Sequence, residues 1–378
     1  DELTNSKDAL FVVERIQDIL KEPFNLNGRE VFISASIGIA FRDSKYKTPE
    51  EILRDADIAM YRAKSAGKAC YQVFERDRPG PQSDRGNLER DLHKAVERQQ
   101  LLLHYQPIVS LETGKLCSFE ALARWDHPER GLISPCEFIP LAEETGAIID
   151  IGDWVLHEAC LQLKRWQERF PLHSSLAVNV NLSTKQFMQA DLIDRVIDTL
   201  QNTHIDPHTL KLEITESAVM ENIGTSTILL QQLRALGLEL AVDDFGTGYS
   251  NLSYLHRLPI NSLKIDKSFV KNMVEKREGG EIVKTILTLA RSLGIRVVAE
   301  GVETLEQLVE LRRLRCHAGQ GFLFSKPVDA AAAEALLRFN NQWQATIAAL
   351  DSQTATRDPI IDLMPASTAD RRALLRVV

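Results

Sequence analysis

Acidic side chains at the downstream ends of successive apolar segments could hold divalent metal ions. The carboxylates are Glu120, Glu213, Asp243, Asp244 and Glu300, accompanied by Asn181 and Lys264. Oxygen ligands of this kind select Mg²⁺ or Mn²⁺ over zinc. The five carboxylates carry a charge of −5, which two divalent ions and Lys264 would balance at +5. Two such ions about 3.5–4 Å apart activate water for attack on a phosphate ester.

The stretch LELAVDDFGTGYSNL, residues 238–252, delivers two of these carboxylates from one apolar strand. Adjacent residues of a strand point to opposite faces, so Asp243 and Asp244 share a site only if the strand ends there. We expect it to end at this point, with Gly246 and Gly248 supplying the backbone freedom for the turn. A single acid at a strand end is more often a helix cap or a solvated charge. The coincidence of several such groups favours a metal site.

Eight apolar segments are strand candidates and would position these groups: 101–111, 116–125, 176–183, 210–217, 238–245, 262–269, 296–303 and 319–327. Most are continuous apolar runs, typical of parallel strands covered on both faces, and helical stretches such as 191–202 separate them. From Asn181 to Gln320 the polar groups recur every 20 to 36 residues, close to the roughly 30 residues of one barrel unit.

The spacing predicts an α/β fold, a (β/α)8 TIM-like barrel with its polar groups on the rim at the carboxyl ends of the strands. Only SLETGKLC, residues 110–117, joins the first two strands, too short a segment for a crossover helix. We therefore expect the first strand to be antiparallel.

A smaller element precedes the barrel. Residues 8–21, 29–41 and 49–68 read as helix, strand and helix, with a further strand after them, which predicts a partial α+β domain over residues 1–78. Residues 79–87 lie in a stretch rich in charge, Pro and Gly and are predicted to be a linker. The barrel is expected to cover residues 88–345, and residues 346–378 to form a C-terminal tail.

Composition narrows the function classes. The net charge of −8 disfavours a nucleic acid polymer as partner, although a small anion recruited by local cations is compatible with it. The five cysteines are scattered without a CxxC pair, which favours a reducing cytoplasm. No run approaches about 20 apolar residues, so we expect no membrane contact from this chain. Since the sequence opens on Asp1, we expect a longer protein whose N-terminal region could be membrane-anchored.

Seven motifs together resemble the EAL-domain phosphodiesterases of bacterial cyclic di-GMP signalling. They are FEALARW, VNLS, LEITES, DDFGTGYSNL, LKIDKSF, AEGVET and GQGFLFSKP, and they cover roughly residues 86–345. The resemblance implies hydrolysis of one phosphodiester bond of cyclic di-GMP to linear pGpG, with two Mg²⁺ or Mn²⁺ ions per site. It also implies a homodimer formed through the barrel.

The resemblance assigns roles residue by residue. Metal ligands are Glu120, Asn181, Glu213 and Asp243 for the first ion, with Asp243 bridging to a second ion held by Asp244 and Glu300. Lys264 matches the group that orients and helps to activate the attacking water, and Glu216 the acid that steadies residues 243–252. Substrate contacts are Gln106, Leu122, Arg124, Asp266, Glu303 and Gln320. Asn251 departs from the family pattern, and we expect the departure to be harmless.

The first 75 residues resemble the C-terminal half of a GGDEF domain through SIGIAF and DADIAMYRAKSAGK. The nucleotide-binding half is missing, so we expect no diguanylate cyclase activity from this chain; a packing remnant is the simplest interpretation of the piece. Two rival functions stay open for the barrel. One is a catalytically silent cyclic di-GMP receptor, and the other is an enzyme acting on a different phosphodiester.

Overall fold

The computed structural model describes the barrel region almost throughout. Described residues are 81–246, 254–274, 277–338 and 341–355, with 12–13, 15–16, 20, 24–26, 29–31, 35–41, 48–49, 51–53, 55–56, 59–60 and 71–74. The chain divides into two compact units, one formed by residues 1–101 with 125–147 and the other by residues 102–124 with 148–378.

Strands and helices alternate through most of the second unit, and the elements with described bounds, from both units, follow in chain order. The strands are β1 Phe24–Leu26, β2 Arg29–Val31, β3 Ile37–Ile39, β4 Tyr71–Val73, β5 Leu101–Ser110, β6 Leu116–His127, β7 Gly131–Ile133, β8 Ala177–Leu182, β9 Leu210–Thr215, β10 Glu239–Phe245, β11 Ser262–Ile265, β12 Arg296–Ala299 and β13 Ala318–Gly319. The helices are α1 Pro81–Leu92, α2 Pro135–Thr145, α3 Ile148–Arg169, α4 Thr184–Phe187, α5 Leu192–Thr203, α6 Glu216–Glu221, α7 Ile223–Ala235, α8 Lys267–Asn272, α9 Arg277–Ser292, α10 Leu305–Arg313, α11 Ala330–Arg338 and α12 Asn341–Ala355.

Eight strands form a closed barrel. The sheet runs in the order β5, β13, β12, β11, β10, β9, β8 and β6, and a pairing between β5 and β6 closes it. From β6 to β13 all neighbours in the barrel are parallel, whereas β13 pairs with β5 in the antiparallel sense. The prediction of a TIM-like barrel with an antiparallel first strand is therefore confirmed.

The strands read as apolar runs because both of their faces are covered. Apart from Lys211 and Thr215, every residue of β9 is buried, and all four residues of β11 are buried. A parallel barrel strand places one set of side chains against the helices and the other inside the barrel. The few polar residues inside such strands therefore lie in a largely desolvated interior.

One predicted strand is shorter in the structure, and two segments predicted to be linker and tail contain helix. The eighth strand, predicted over residues 319–327, is only Ala318–Gly319, because the chain turns away immediately after Gly319. Residues 81–87, predicted to be linker, form the first part of α1. Residues 346–355, assigned to the tail, continue α12, and the later tail lies outside the described residues.

In the first unit, β1 pairs with β2 in the antiparallel sense and β3 pairs with β4 in parallel. The predicted strand over residues 29–41 contains both β2 and β3. Most of the two predicted helices, 8–21 and 49–68, lies outside the described residues, and the described residues Val12, Val13, Ile52 and Leu53 are helical. Among the described helices of the whole chain, none has the length and apolarity needed to cross a bilayer.

Candidate metal-binding and catalytic site

Lys264 is the centre of a buried cluster of charges inside the barrel. Its side chain is 1% exposed, and its Nζ lies 2.7 Å from Glu213 Oε2 and 2.6 Å from Glu300 Oε1. Glu120 Oε2 at 3.4 Å and Asp243 Oδ2 at 3.5 Å complete the surroundings of the same ammonium group. Four carboxylates predicted as metal ligands, carried by different strands of one barrel or by the residue after a strand, therefore meet at one ammonium group.

Glu213 lies in β9 and is 1% exposed. Its Oε2 accepts a hydrogen bond from Lys264, and its Oε1 accepts one of 2.6 Å from Asn179 Nδ2. Sequence reasoning missed Asn179, although the alternation in NVN, residues 179–181, was a signal: residues two apart in a strand share a face.

Glu120 is held by two side-chain amides. Its Oε1 accepts from Asn181 Nδ2 at 2.6 Å, and its Oε2 accepts from Gln320 Nε2 at 2.6 Å. Gln320 Nε2 also lies 2.9 Å from Gln106 Oε1, and the Gln106 amide donates to the Ser325 carbonyl. Glu120 was expected at a strand end on the rim, yet β6 continues to His127 and Glu120 is 5% exposed.

A β-bulge brings Asp243 and Asp244 to one place. Along the pairing of β10 with β11, the register shifts by one residue between Val242 and Phe245. Asp244 occupies the left-handed region with φ of +53°, and its amide donates to Asp243 Oδ1 at 2.9 Å. The strand, expected to end at the aspartates, ends at Phe245, one residue past Asp244, and the bulge redirects the Asp244 side chain within it.

Asp243, Asp244 and Glu300 form a group suited to a cation. One carboxylate oxygen from each lies within 4.8 Å of the others, a spacing that a single ion can bridge. The backbone of Glu300, just after β12, donates to the Ile265 carbonyl and so fixes its position beside β11. These are the residues that the resemblance assigns to the second ion.

The electrostatics of the cluster are those of crowded, desolvated carboxylates. Burial raises the pKa of Glu213 well above its usual value, against the opposing effect of Lys264. Burial likewise raises the pKa of Glu300 to about 7. For Glu120 burial would raise the pKa, but Lys264 and the amides of Gln320 and Asn181 hold it below its usual value. Added positive charge would therefore favour the ionised form of the group as a whole.

Glu216 begins α6 and is buried. Its Oε2 accepts from the Gly246 amide at 3.0 Å, and its Oε1 accepts from the Tyr254 hydroxyl at 2.9 Å. Gly246 and Tyr254 flank residues 247–253, so Glu216 ties together the two ends of the segment that follows the aspartates. Tyr254 was missed by sequence reasoning; Gly248 and Asn251 lie outside the described residues.

The remaining predicted substrate contacts are more dispersed. Leu122 and Arg124 follow Glu120 along β6 and are half-buried, and burial lowers the pKa of the Arg124 guanidinium. Asp266 caps α8, because its Oδ1 accepts from the Ser268 amide at 3.0 Å. Glu303 is exposed, and its backbone amide donates to Gln307 Oε1. Their contact with a substrate stays a prediction.

Comparison with known proteins agrees with this geometry. The EAL domain family matches residues 89–327, and the family described as diguanylate cyclase, GGDEF domain, matches residues 2–70. The bifunctional diguanylate cyclase/cyclic di-GMP phosphodiesterase MucR of Pseudomonas aeruginosa is 43% identical over 85% of this chain and 47% of its own length. The cyclic di-GMP phosphodiesterase NbdA of the same organism is 40% identical over 89% of this chain and 43% of its own length.

Solved structures similar to this chain include a phosphodiesterase and an EAL enzyme. The PaMucR phosphodiesterase in complex with c-di-GMP is 46% identical with a TM-score of 0.63, over 65% of this chain and 99% of that one. The EAL enzyme Bd1971 in its cAMP-bound form is 32% identical with a TM-score of 0.64, over 78% of this chain and 76% of that one. The chain spans less than half the length of the two curated relatives. With residues 89–327 matched and the acidic cluster assembled inside the barrel, the chain belongs to the EAL domain family.

Proposed function

We propose that this chain hydrolyses one phosphodiester bond of cyclic di-GMP, giving linear pGpG, in a reaction that requires two Mg²⁺ or Mn²⁺ ions. The observation that carries the proposal is the convergence of four carboxylates on the buried Lys264. The names of the relatives MucR and NbdA support the substrate.

The donor set fits two hard cations. Glu120, Asn181, Glu213 and Asp243 would hold the first, and Asp243, Asp244 and Glu300 the second. Carboxylate and amide oxygens are the ligands that Mg²⁺ and Mn²⁺ prefer. When bound, such ions supply positive charge that activates water and stabilises the leaving oxygen of a phosphate ester.

The residues of this chain supply the positioning. Lys264 is fixed by its carboxylate neighbours, and its ammonium is a donor that can orient a water molecule beside them. Arg124, on the same strand as Glu120, carries a forked guanidinium suited to the substrate phosphate. Burial of the cluster keeps bulk water away, which strengthens each of these electrostatic interactions.

The test is to incubate the chain with cyclic di-GMP and Mg²⁺ and to follow the products by chromatography. We expect pGpG from the wild type and none from Glu120→Ala. Glu310→Ala, which removes a partly exposed carboxylate paired with Arg313, is the control and should retain activity. Melting of each variant without metal checks that the fold is kept.

Two outcomes would replace the proposal. Tight binding of cyclic di-GMP without turnover would identify a receptor. Equal turnover of cyclic di-GMP, pGpG and unrelated linear dinucleotides would identify a broader phosphodiesterase. The homodimer stays part of the proposal as well, and light scattering of the purified chain with and without Mg²⁺ tests it.

A further inference from the structure

Asn179 lies in the interior of the barrel, and none of the roles inferred from the sequence motifs falls on it. It is in β8, is 4% exposed, and its Cα pairs with Glu120 on one side and Lys211 on the other. Its side-chain amide donates a 2.6 Å hydrogen bond from Nδ2 to Glu213 Oε1. We propose that Asn179 is a positioning residue, which holds the Glu213 carboxylate in the orientation that binds a divalent cation. The inference rests on the proposed function, in which Glu213 is a metal ligand.

The first step is geometric. Glu213 has one donor on each oxygen, Asn179 Nδ2 on Oε1 and Lys264 Nζ on Oε2 at 2.7 Å. Each carboxylate oxygen has two lone pairs, so an oxygen that accepts one hydrogen bond can still bind a cation. Two donors from different strands prevent rotation of the carboxylate, which fixes the direction of the remaining lone pairs.

The second step concerns the other end of the amide. Nδ2 must face Glu213, because two oxygens at 2.6 Å would repel. The amide oxygen Oδ1 is buried, and among the described residues it has no hydrogen-bond donor. An unpaired buried acceptor lowers the stability of the folded protein, and an apolar side chain at this position would avoid that cost. The residue is therefore explained by what its Nδ2 does for Glu213.

The third step sets the expected size of the effect. Partners that orient a metal ligand contribute to metal affinity, and their removal typically weakens binding 10- to 100-fold. Loss of Asn179 should act on the binding of the metal and should leave the reaction itself intact once the metal is bound. That combination distinguishes a positioning residue from one that merely fills space.

The experiment measures Mn²⁺ binding to the whole chain by calorimetry and by electron paramagnetic resonance, without any nucleotide. Asn179→Leu keeps the approximate size of the side chain and removes the donor. We expect its Mn²⁺ affinity to fall about 10- to 100-fold. The metal-free melting temperature should fall only modestly, because Glu213 Oε1 loses its donor while the buried, unpaired Asn179 Oδ1 is removed with it. Asn179→Ala, which creates no steric conflict, should show the same loss of affinity. Gln162→Leu, a buried amide on α3, is the matched control and should bind Mn²⁺ like the wild type.

Turnover of cyclic di-GMP supplies a second measurement. In the Asn179 variants the Mg²⁺ concentration for half-maximal rate should rise by the same factor, and kcat at saturating Mg²⁺ should stay within about threefold of the wild type. Mn²⁺ affinity of both variants within twofold of the wild type would overturn the inference. A wild type that binds Mn²⁺ but does not cleave cyclic di-GMP would refute the proposed function alone.

Discussion

The two halves of the site differ in how the fold holds them. The inner group, Glu120, Glu213 and Lys264, lies within barrel strands and is 5%, 1% and 1% exposed. The outer group, Asp243, Asp244 and Glu300, lies at a bulge and just beyond a strand end, and Asp244 is exposed. The inner group is therefore fixed by the same pairing that closes the barrel. The outer group depends on a local distortion of the backbone and on the segment that follows it.

Substitutions in the inner and the outer group should therefore affect the protein in two different ways. A change in the inner group disturbs a desolvated network, in which an unpaired charge destabilises the whole domain. A change in the outer group should alter the proposed second cation site while the barrel remains folded. Substitutions in the two groups should therefore diverge in their effects on stability even where both reduce turnover.

The largest effect on stability and turnover is expected for Lys264→Met. Removing the ammonium leaves Glu213 and Glu300 without their 2.7 Å and 2.6 Å partner, and breaking a buried ion pair costs about 3–5 kcal/mol. We expect a large fall in the unfolding free energy without metal, measured by urea denaturation, and loss of turnover. Divalent metal should raise the melting temperature of the variant more than that of the wild type, because it replaces the missing charge.

Lys211→Met is the matched control for this lysine, since Lys211 pairs with Glu239 at 3.1 Å and is 18% exposed. It should destabilise the protein less, because its ion pair is less buried and Glu239 keeps Arg296 as a partner. Equal destabilisation by the two substitutions would contradict the central place given to Lys264.

The next largest effect, on metal binding and turnover, is expected for Asp244→Asn in the outer group. Asparagine also tolerates the left-handed φ of +53°, so the bulge is kept while a carboxylate is lost. We expect Mn²⁺ titration to show one tight ion in the variant against the two proposed for the wild type, with turnover reduced at least about 100-fold. The unfolding free energy without metal should change by less than about 0.5 kcal/mol. Two tight ions in the variant would show that Asp244 is not a ligand.

The sequence predicted the features of the fold that repeat from strand to strand, namely the apolar runs and the polar residues near their downstream ends. Continuous apolar runs predicted the barrel, and the short connection at residues 110–117 predicted its antiparallel first strand. The same spacing brought Glu213, Asp243 and Lys264 together without knowledge of any contact. A repeating pattern of apolar and polar residues can be recognised from neighbouring residues alone, without knowledge of contacts between distant parts of the chain.

Features that depend on distant partners could not be predicted in this way. The bulge at Asp243 and Asp244 is visible only in the pairing with β11, and β13 is short because the chain turns after Gly319. Asn179 and Tyr254 acquire their roles from residues 34 and 38 positions away. The alternation in NVN, residues 179–181, places Asn179 on the face of Asn181 but does not indicate its partner Glu213, and no local pattern marks the pairing of Tyr254 with Glu216.

A smaller effect is expected for Tyr254→Phe, which removes the hydroxyl that donates to Glu216 Oε1 at 2.9 Å. One such bond to a carboxylate contributes about 1.5–3 kcal/mol to holding the segment after Gly246. We expect turnover to fall about tenfold, which corresponds to about 1.4 kcal/mol, with the loss confined to the outer group. Mn²⁺ titration should show weaker binding at one of two sites. Uniform weakening at both would contradict the division into two groups.

The smallest effect is expected for Gly246→Ala, which tests how far the outer group depends on its backbone. Gly246 has φ of +97°, and an added Cβ would lie 3.0 Å from Cε2 of the Phe269 ring. Gly294→Ala is the matched control, because Gly294 has φ of +68° and no atom within 4 Å of its added Cβ. Both variants should lose about 1–2 kcal/mol of unfolding free energy from the left-handed backbone alone. Only Gly246→Ala should also lower turnover, by a few fold, because the contact of the added Cβ with Phe269 would displace the backbone amide that donates to Glu216. Equal turnover in the two variants would mean that the outer group tolerates movement of this turn, and that Glu216 and Tyr254 stabilise the fold without positioning the aspartates.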